Sequence, residues 1–519
     1  MEILHDKALV FRTRNPHKYA VIPKHQVVER HDGGFDVAVF WGLDEVRVLR
    51  NMGVRNVPSP ITRRYNWPGK FKPMQHQTET AAFLTMNKKA FVFSEPGTGK
   101  TLAALWAADY LMQKKEVRRC LILCPLSIMQ SAWLNDLNNS IIHRSAIVAH
   151  HAQASRRIEM IQQDYEFVIC NYDGLNLIAK EIHNDGRFDL VIVDEANAYK
   201  TPTTKRWKIL KSIIGPDTLL WMMTGTPASQ SPVDAFGLAK LVNPENVPKF
   251  LTAWRDKVMN KITMFKWAPK ITAADTVHEA LQPAIRFTKE QCLDLPPVLT
   301  MTREVPLTPQ QKKYYDLLKD QMLVKAAGET ITAVNAAVSV SKLLQISCGA
   351  AYTDAKEVVE FDASPRLTVL EEILGETTRK VLIFAMFRSS IDRIHAHLLK
   401  NGIAAEMIHG GVTASKRNDI IHRFQNQPTP RVLVMQPQAT AHGITLTAAD
   451  TVVFFGPLMS VEQYVQCIAR ADRKGQDSTK VTVVHIQGSP IEKRMFRALE
   501  GKVSDNSLLT KMFETEINV

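Results

Sequence analysis

From Ala90 to Met223 short apolar runs alternate with stretches in which apolar residues return every three or four positions. The runs fall at 90–93, 119–124, 146–149, 167–170, 190–193 and 219–223. Each is too short for a stable helix and lacks polar alternation, which suits a strand covered on both faces. Such strands separated by helical stretches predict βαβ units and a parallel, doubly wound sheet. A second alternation has runs at 381–385, 432–435, 451–455 and 481–486. Between the two, from about 230 to 365, the pattern is mostly helical, broken at Leu295-Pro296-Pro297 and Ser364-Pro365. The first 62 residues carry only strand-like patches, at Ala8 to Phe11 and Phe35 to Phe40. The predicted class is α/β, with two parallel-sheet lobes, a helical insertion and a small N-terminal accessory domain. The expected domains are 1–62 (accessory), 63–296 (first lobe), 297–365 (protrusion and linker) and 366–519 (second lobe).

One stretch carries chemistry outright. Ser94-Glu95-Pro96-Gly97-Thr98-Gly99-Lys100-Thr101 follows the run 90–93 and opens a helical segment, Leu102 to Met112. Strand, glycine-bearing turn and Gly-Lys-Thr at a helix start form the setting of a phosphate-binding loop. Backbone N–H groups of 95–99 can face phosphates, Lys100 can reach the β- and γ-phosphates, and Thr101 can ligate Mg²⁺. Ser94 stands where G-x-x-x-x-G-K-[ST] has its first Gly. Further on, Phe188 to Val193 reads as a buried strand that delivers Asp194 and Glu195 to its C-terminal end, where α/β sheets bind ligands. Asp194 would share the Mg²⁺ with Thr101, and Glu195 would orient and deprotonate the attacking water. Loop and acid pair in this order predict an NTP hydrolase. Thr224-Gly225-Thr226-Pro227 follows the next strand as a turn able to sense the γ-phosphate.

Composition narrows the setting. Hydrophobic content of 45% and charged content of 23% are those of a globular protein, and 519 residues call for two to four domains. A formal charge of +13 with a pI near 9.3 points to a polyanionic partner, nucleic acid before membrane. No apolar run is long enough to span a bilayer, and Met1 to Lys7 lacks the features of a signal peptide, so a cytoplasmic protein is expected. Cys120, Cys124, Cys170, Cys292, Cys348 and Cys467 form no C-x-x-C pair and read as buried thiols. The stretch Arg63 to Lys72 interleaves basic and aromatic residues. Two readings stand for it: a grip on nucleic acid, or a packed linker with a solvated face.

The motifs in their order resemble helicase superfamily two, and within it the Swi/Snf-type DNA-dependent ATPases, over about residues 71–500. Lys72-Pro73-Met74-Gln75 resembles the adenine-sensing Q motif, with Gln75 as the base-reading amide. Ser94–Thr101 is similar to motif I, Leu121 to Ser127 with Trp133 to motif Ia, and Phe167 to Tyr172 to the motif after it. Asp194-Glu195-Ala196-Asn197 resembles motif II and Thr224 to Pro227 motif III. Arg286 to Lys289, Leu307 to Gln311 and Lys342 to Cys348 resemble the family's linker and protrusion. In the second lobe, Lys380 to Phe384 is similar to motif IV, His409 to Thr413 with Arg417 to the glycine motif, Gly443 to Asp450 to motif V, and Gln466 to Gln476 to motif VI. Departures are Asn197 for His in motif II, Thr445 for Asn, Asp472 for His, and Met459-Ser460-Val461 for Trp-Asn-Pro. They point to a divergent member, viral or bacterial.

The resemblance implies two RecA-like lobes with ATP between them, and Mg²⁺ as the metal. Gln75, Glu95, Pro96, Gly97, Thr98, Gly99, Lys100, Thr101, Gly443, Arg470 and Arg473 would bind nucleotide. Lys100, Asp194, Glu195, Arg470 and Arg473 would be catalytic, with Thr101 and Asp194 on the metal. Arg470 and Arg473, three apart on the face of an expected helix, would act as arginine fingers in cis. The implied partner is duplex DNA, held through its backbone with little sequence preference by a monomeric motor. The expected function is ATP-driven translocation on duplex DNA in replication, recombination or repair. A strand-separating helicase for forks or RNA, and a nucleotide-binding scaffold without turnover, stand as alternatives.

Overall fold

The computed structural model describes residues 1–519 apart from 226, 229–230, 264–266, 293–297, 329–332, 353–356, 441–443, 474–475, 479 and 502–519. Thr226, Leu295-Pro296-Pro297, Gly443 and Lys474-Gly475, singled out above, lie outside the described residues. The chain falls into two compact units, Met1–Pro227 with Val233–Cys292, and Leu293–Val519 with Ala228–Pro232.

In the first unit all six apolar runs become strands of one parallel sheet, seven-stranded among the described residues. Its spatial order is Ala284–Ile285, Lys89–Val92, Leu219–Met223, Phe188–Val193, Arg119–Cys124, Phe167–Asn171, Ala146–Val148. The strand from which the phosphate loop leaves is thus one strand away from the strand that ends in Asp194. Every residue of Arg119–Cys124 and Leu219–Met223 is buried, as central strands with helices on both faces must be. Helix Lys100–Gln113 is apolar nearly all round and accordingly buried, with Leu105, Trp106, Tyr110 and Leu111 under 2% exposed. Its one internal acid, Asp109, is fully buried and satisfied. It accepts from Tyr65 Oη (2.6 Å), Arg144 Nε (2.6 Å) and Gln113 Nε2 (2.9 Å), with His143 Nε2 at 2.9 Å.

That network settles the basic-aromatic stretch. Tyr65 is buried against Asp109, and Trp67 packs edge-on against Tyr65 and Trp106. These two aromatics face the core, so the packed-linker reading holds around them, while Lys70, Phe71 and Lys72 are exposed. Ahead of it, Glu2–Leu4, Ala8–Thr13, Phe35–Phe40 and His25–Glu29 form an antiparallel sheet in that order. Leu9, Val37, Val39 and Trp41 make a small core with Val46 and Leu49 of helix Leu43–Asn51.

The second unit carries a parallel sheet of six described strands, in the order Val298–Glu304, Val481–Gln487, Ala449–Phe454, Lys380–Phe384, Val432–Met435, Ala405–Ile408. The four inner strands are the predicted runs. The two outer ones were not predicted: Val298–Glu304 lies in a stretch read as helical, and its residues are mostly exposed because it is an edge. Helices Pro309–Gly328 and Ala333–Ser347 follow it. A buried pair, Arg366 Nη2 to Glu492 Oε1 at 2.6 Å, ties helix Ser364–Gly375 to helix Pro490–Glu500. No described helix is long and apolar enough to cross a membrane.

Candidate nucleotide site

The loop between Val92 and Lys100 turns on two glycines in the left-handed region, Gly97 (φ 90°) and Gly99 (φ 78°). At Gly99 a side chain is doubly barred, since a Cβ would also sit 2.2 Å from Gln77 Nε2. Lys100 opens the helix and folds back over the loop, its ammonium donating to Ser94 O (2.7 Å) and Glu95 O (3.1 Å). A cation parked on two carbonyls of the turn is placed to exchange them for phosphate oxygens. Thr98 Oγ1 donates to Glu95 O at 2.9 Å and holds the turn shut. Ser94, in the place of the first Gly, is buried and accepts from Phe287 N at 3.2 Å, while Glu95 Oε2 accepts from Lys289 N. The resembled linker motif is therefore packed on the loop.

The amide that meets this loop is Gln77, not Gln75. Gln75 is exposed, and its Nε2 donates to Glu79 at 2.9 Å. Gln77 is buried; its Nε2 donates to Gly99 O (3.2 Å) and its Oε1 accepts from Met74 N (2.9 Å). His76 Nε2 lies 2.7 Å from Thr98 O. The physical reason is helix phase. Helix Gln75–Thr85 buries 76, 77, 80, 81 and 84, so position 75 points to solvent. Gln77 is in register with Ala81 and Leu84, a signal legible in the sequence.

Asp194 is buried at the end of its strand. Its Oδ2 accepts from Trp133 Nε1 (3.0 Å), its Oδ1 from Glu195 N (3.0 Å), and its backbone N–H donates to Leu123 O (2.9 Å). Burial pushes the Asp194 carboxyl above the usual range, while the Lys100 charge and the Trp133 and Glu195 N–H groups pull it back. A buried carboxylate in that balance is a place for a cation. Glu195 sits in the left-handed region (φ 46°, ψ 57°), which costs a non-glycine residue of order 1 kcal/mol. The Asp194 carbonyl just before it is pinned by the Tyr172 hydroxyl, which donates at 2.6 Å from a half-buried ring. Trp133 and Tyr172 lay inside resembled motifs, but their bonds to Asp194 were not foreseen. On the other side, Thr224 N donates to Val92 O at 3.0 Å. Gly225 packs on the loop so closely that a Cβ there would lie 2.7 Å from Pro96 Cδ.

In the second unit the expected helix face does not exist. Helix Val461–Ile468 ends before both arginines, which lie in the turns after it. The reason is long-range: Leu446 N donates to Arg470 O at 2.9 Å, taking the carbonyl for the motif V segment. Arg470 is buried, with Nη1 donating to Ile444 O at 3.3 Å, and Arg473 is half-buried. Gln476 Nε2 holds the turn by donating to Ala449 O (2.8 Å) and Ala471 O (3.0 Å). All six cysteines are free thiols, and burial pushes Cys170 and Cys348 up to about 12. Among the described residues no His, Cys, Asp and Glu cluster forms a metal site of its own.

Loop, acid pair and turn, set at the carboxyl ends of neighbouring parallel strands, define a P-loop lobe of the helicase type. The family model described as SNF2-related domain matches residues 76–349, more than half of the chain. The helicase conserved C-terminal domain matches residues 365–475. The chain belongs to the SNF2-related family. It is similar to the Chromodomain-helicase-DNA-binding protein 1-like of Mus musculus, 24% identical over 429 residues, covering 79% of this chain and 46% of that protein. An uncharacterized ATP-dependent helicase of Mycoplasma pneumoniae is 25% identical over 437 residues, covering 82% of this chain and 40% of its own length. The chain thus spans less than half the length of these relatives. Among solved structures it is similar to the Sulfolobus solfataricus SWI2/SNF2 ATPase core in complex with dsDNA, at 20% identity and a TM-score of 0.43, covering 87% and 96% of the two chains.

Proposed function

We propose that this protein hydrolyses ATP and uses the energy to move along duplex DNA, remodelling it or displacing bound proteins. The observation that carries the hydrolytic half is the Lys100 ammonium held over the loop at Ser94 O and Glu95 O, with its charge felt by buried Asp194. In this reading Gln77 takes the adenine contact first given to Gln75, and residues 95–101 cradle the phosphates. Glu195 orients the attacking water and accepts its proton. Thr101 and Asp194 would hold Mg²⁺, whose charge would offset that of the phosphates; a buried carboxylate raised by burial fits such an ion. Arg470 and Arg473 supply cations for the charge that develops on the transferred group.

Support for the DNA half is family membership, the formal charge of +13, and relatives named as helicases and as a DNA-binding protein. The test is the steady-state ATPase rate with no nucleic acid, single strands, duplex, forked duplex and RNA, with Glu195→Gln as the blank. Stimulation by plain duplex is expected. Stimulation by forks, single strands or RNA alone would make the protein a strand-separating helicase. Absence of turnover under every condition would leave a nucleotide-binding scaffold.

A further inference from the structure

Between the third motif and the linker the first unit carries an excursion rich in cations. Helix Leu251–Val258 is anchored by Trp254 and Val258, both fully buried one helical turn apart. It runs into an antiparallel ribbon, Met259–Lys261 with Trp267–Pro269, which pairs with no other strand among the described residues. The described residues from 249 to 270 hold five cations, Lys249, Arg255, Lys257, Lys261 and Lys270, against one acid, Asp256.

Among the described residues none of the five makes an ion pair, although Glu245, Asp275 and Glu279 flank the segment in sequence. Four arginines elsewhere in the unit, Arg118, Arg119, Arg144 and Arg187, each meet a carboxylate within 2.8 Å. Here three of the five lie on rings or on the backbone instead. Arg255 stacks on Trp267 at 4.7 Å, Lys249 on Phe250 at 5.5 Å, and Lys270 donates to Asp256 O at 2.6 Å. Stacking fixes a guanidinium in place without neutralising it. Apolar side chains stand among them fully in solvent, Phe250 at 63%, Ile262 at 58% and Ile271 at 102% exposure. A solvated charge run would balance its signs and hide such residues.

We propose that this surface, residues 249–261 with 267–271, binds the phosphate backbone of duplex DNA as an auxiliary grip outside the helicase motifs. A two-stranded ribbon is narrow enough to lie along a DNA groove, with cations on both flanks for the phosphates. The inference rests on the DNA reading above. Its test is the affinity of the full chain for a fluorescent duplex across a salt series, comparing wild type with K249Q/R255Q/K257Q/K261Q. Each lost phosphate contact flattens the log–log salt slope by about 0.9, so a slope shallower by roughly 2 to 4 is expected. Binding near 0.1 M salt should weaken by about tenfold or more, with the DNA-free ATPase rate unchanged. The variant with Lys and Arg exchanged at the same four positions should bind as wild type does. Equal slopes and affinities in the folded glutamine variant overturn the proposal. Should that variant misfold, hydrogen exchange on wild type decides: duplex must protect 249–261, and no protection overturns it. A wild type that binds no duplex at any salt sinks the DNA reading itself.

Discussion

His485 offers a prediction that can be worked through to a number. It sits fully buried on the strand Val481–Gln487, its ring stacked on Phe496 at 4.1 Å and hydrogen-bonded through Nε2 to the Tyr464 hydroxyl at 3.0 Å. Glu500 lies 3.3 Å from Nδ1 but is 44% exposed, too hydrated to offset the burial of an imidazolium. Burial therefore lowers the His485 pKa from 6.5 to about 4. A group whose folded pKa is depressed stabilises the fold above its unfolded pKa, and that contribution is lost as pH falls from about 6.5 towards 4. Between pH 7 and pH 5 the second unit should lose about 2 kcal/mol on this account alone. The distribution of tryptophan isolates the effect. All eight, at 41, 67, 106, 133, 207, 221, 254 and 267, belong to the first unit. Urea unfolding followed by tryptophan fluorescence should thus be nearly blind to this loss, whereas hydrogen exchange in peptides from 449–500 should register it. His485→Gln, which can still accept from Tyr464 but cannot titrate, should be less stable at pH 7 and lack the slope. A His485→Gln protein that keeps the wild-type pH dependence would refute the assignment.

Gln77→Ala should raise the KM for ATP severalfold and blur its preference over other nucleotides, while Gln75→Ala should leave both within about twofold; competition by GTP and CTP reads the difference. Tyr172→Phe removes the hydroxyl that pins the Asp194 carbonyl and should lower kcat about fivefold, near 1 kcal/mol, with KM for ATP little changed. An equal change in both constants would mean the bond shapes binding rather than the position of Glu195. Arg366→Met strands the Glu492 carboxylate in the core and should cost the second unit about 3 kcal/mol or more. Arg366→Met with Glu492→Gln should recover much of that in the same exchange measurement.

Both sheets were legible in the chain because a strand buried on two faces has to be written in consecutive apolar residues. Of the four edges only Ala146–Val148 was read; Val298–Glu304 and Ala405–Ile408 were not, since they are half-wet and contain Arg303, Glu304 and Glu406. The phosphate loop and the Asp194-Glu195 strand end were visible as local patterns, strand then turn then helix. What escaped depends on phase or on distance along the chain. Two glutamines stand two positions apart in Gln75-His76-Gln77, and the burial of Ala81 and Leu84 selects between them. The turn that carries Arg470 is set by Leu446, twenty-four residues away by their numbers, so the local sequence Ala469-Arg470-Ala471 reads as helix and is not. The bond from Trp133 to Asp194 joins two motifs that are each recognisable alone.

The contact between Gly225 and Pro96 leaves no room for even a methyl group. Two rigid backbone segments separated by a hydrogen atom behave like meshed parts, since a push on one becomes displacement of the other rather than compression. The ring of Pro96 is stiff, and Gly97 beside it is the compliant joint at φ 90°. Any rearrangement of the loop around a γ-phosphate would therefore leave along the turn after Met223.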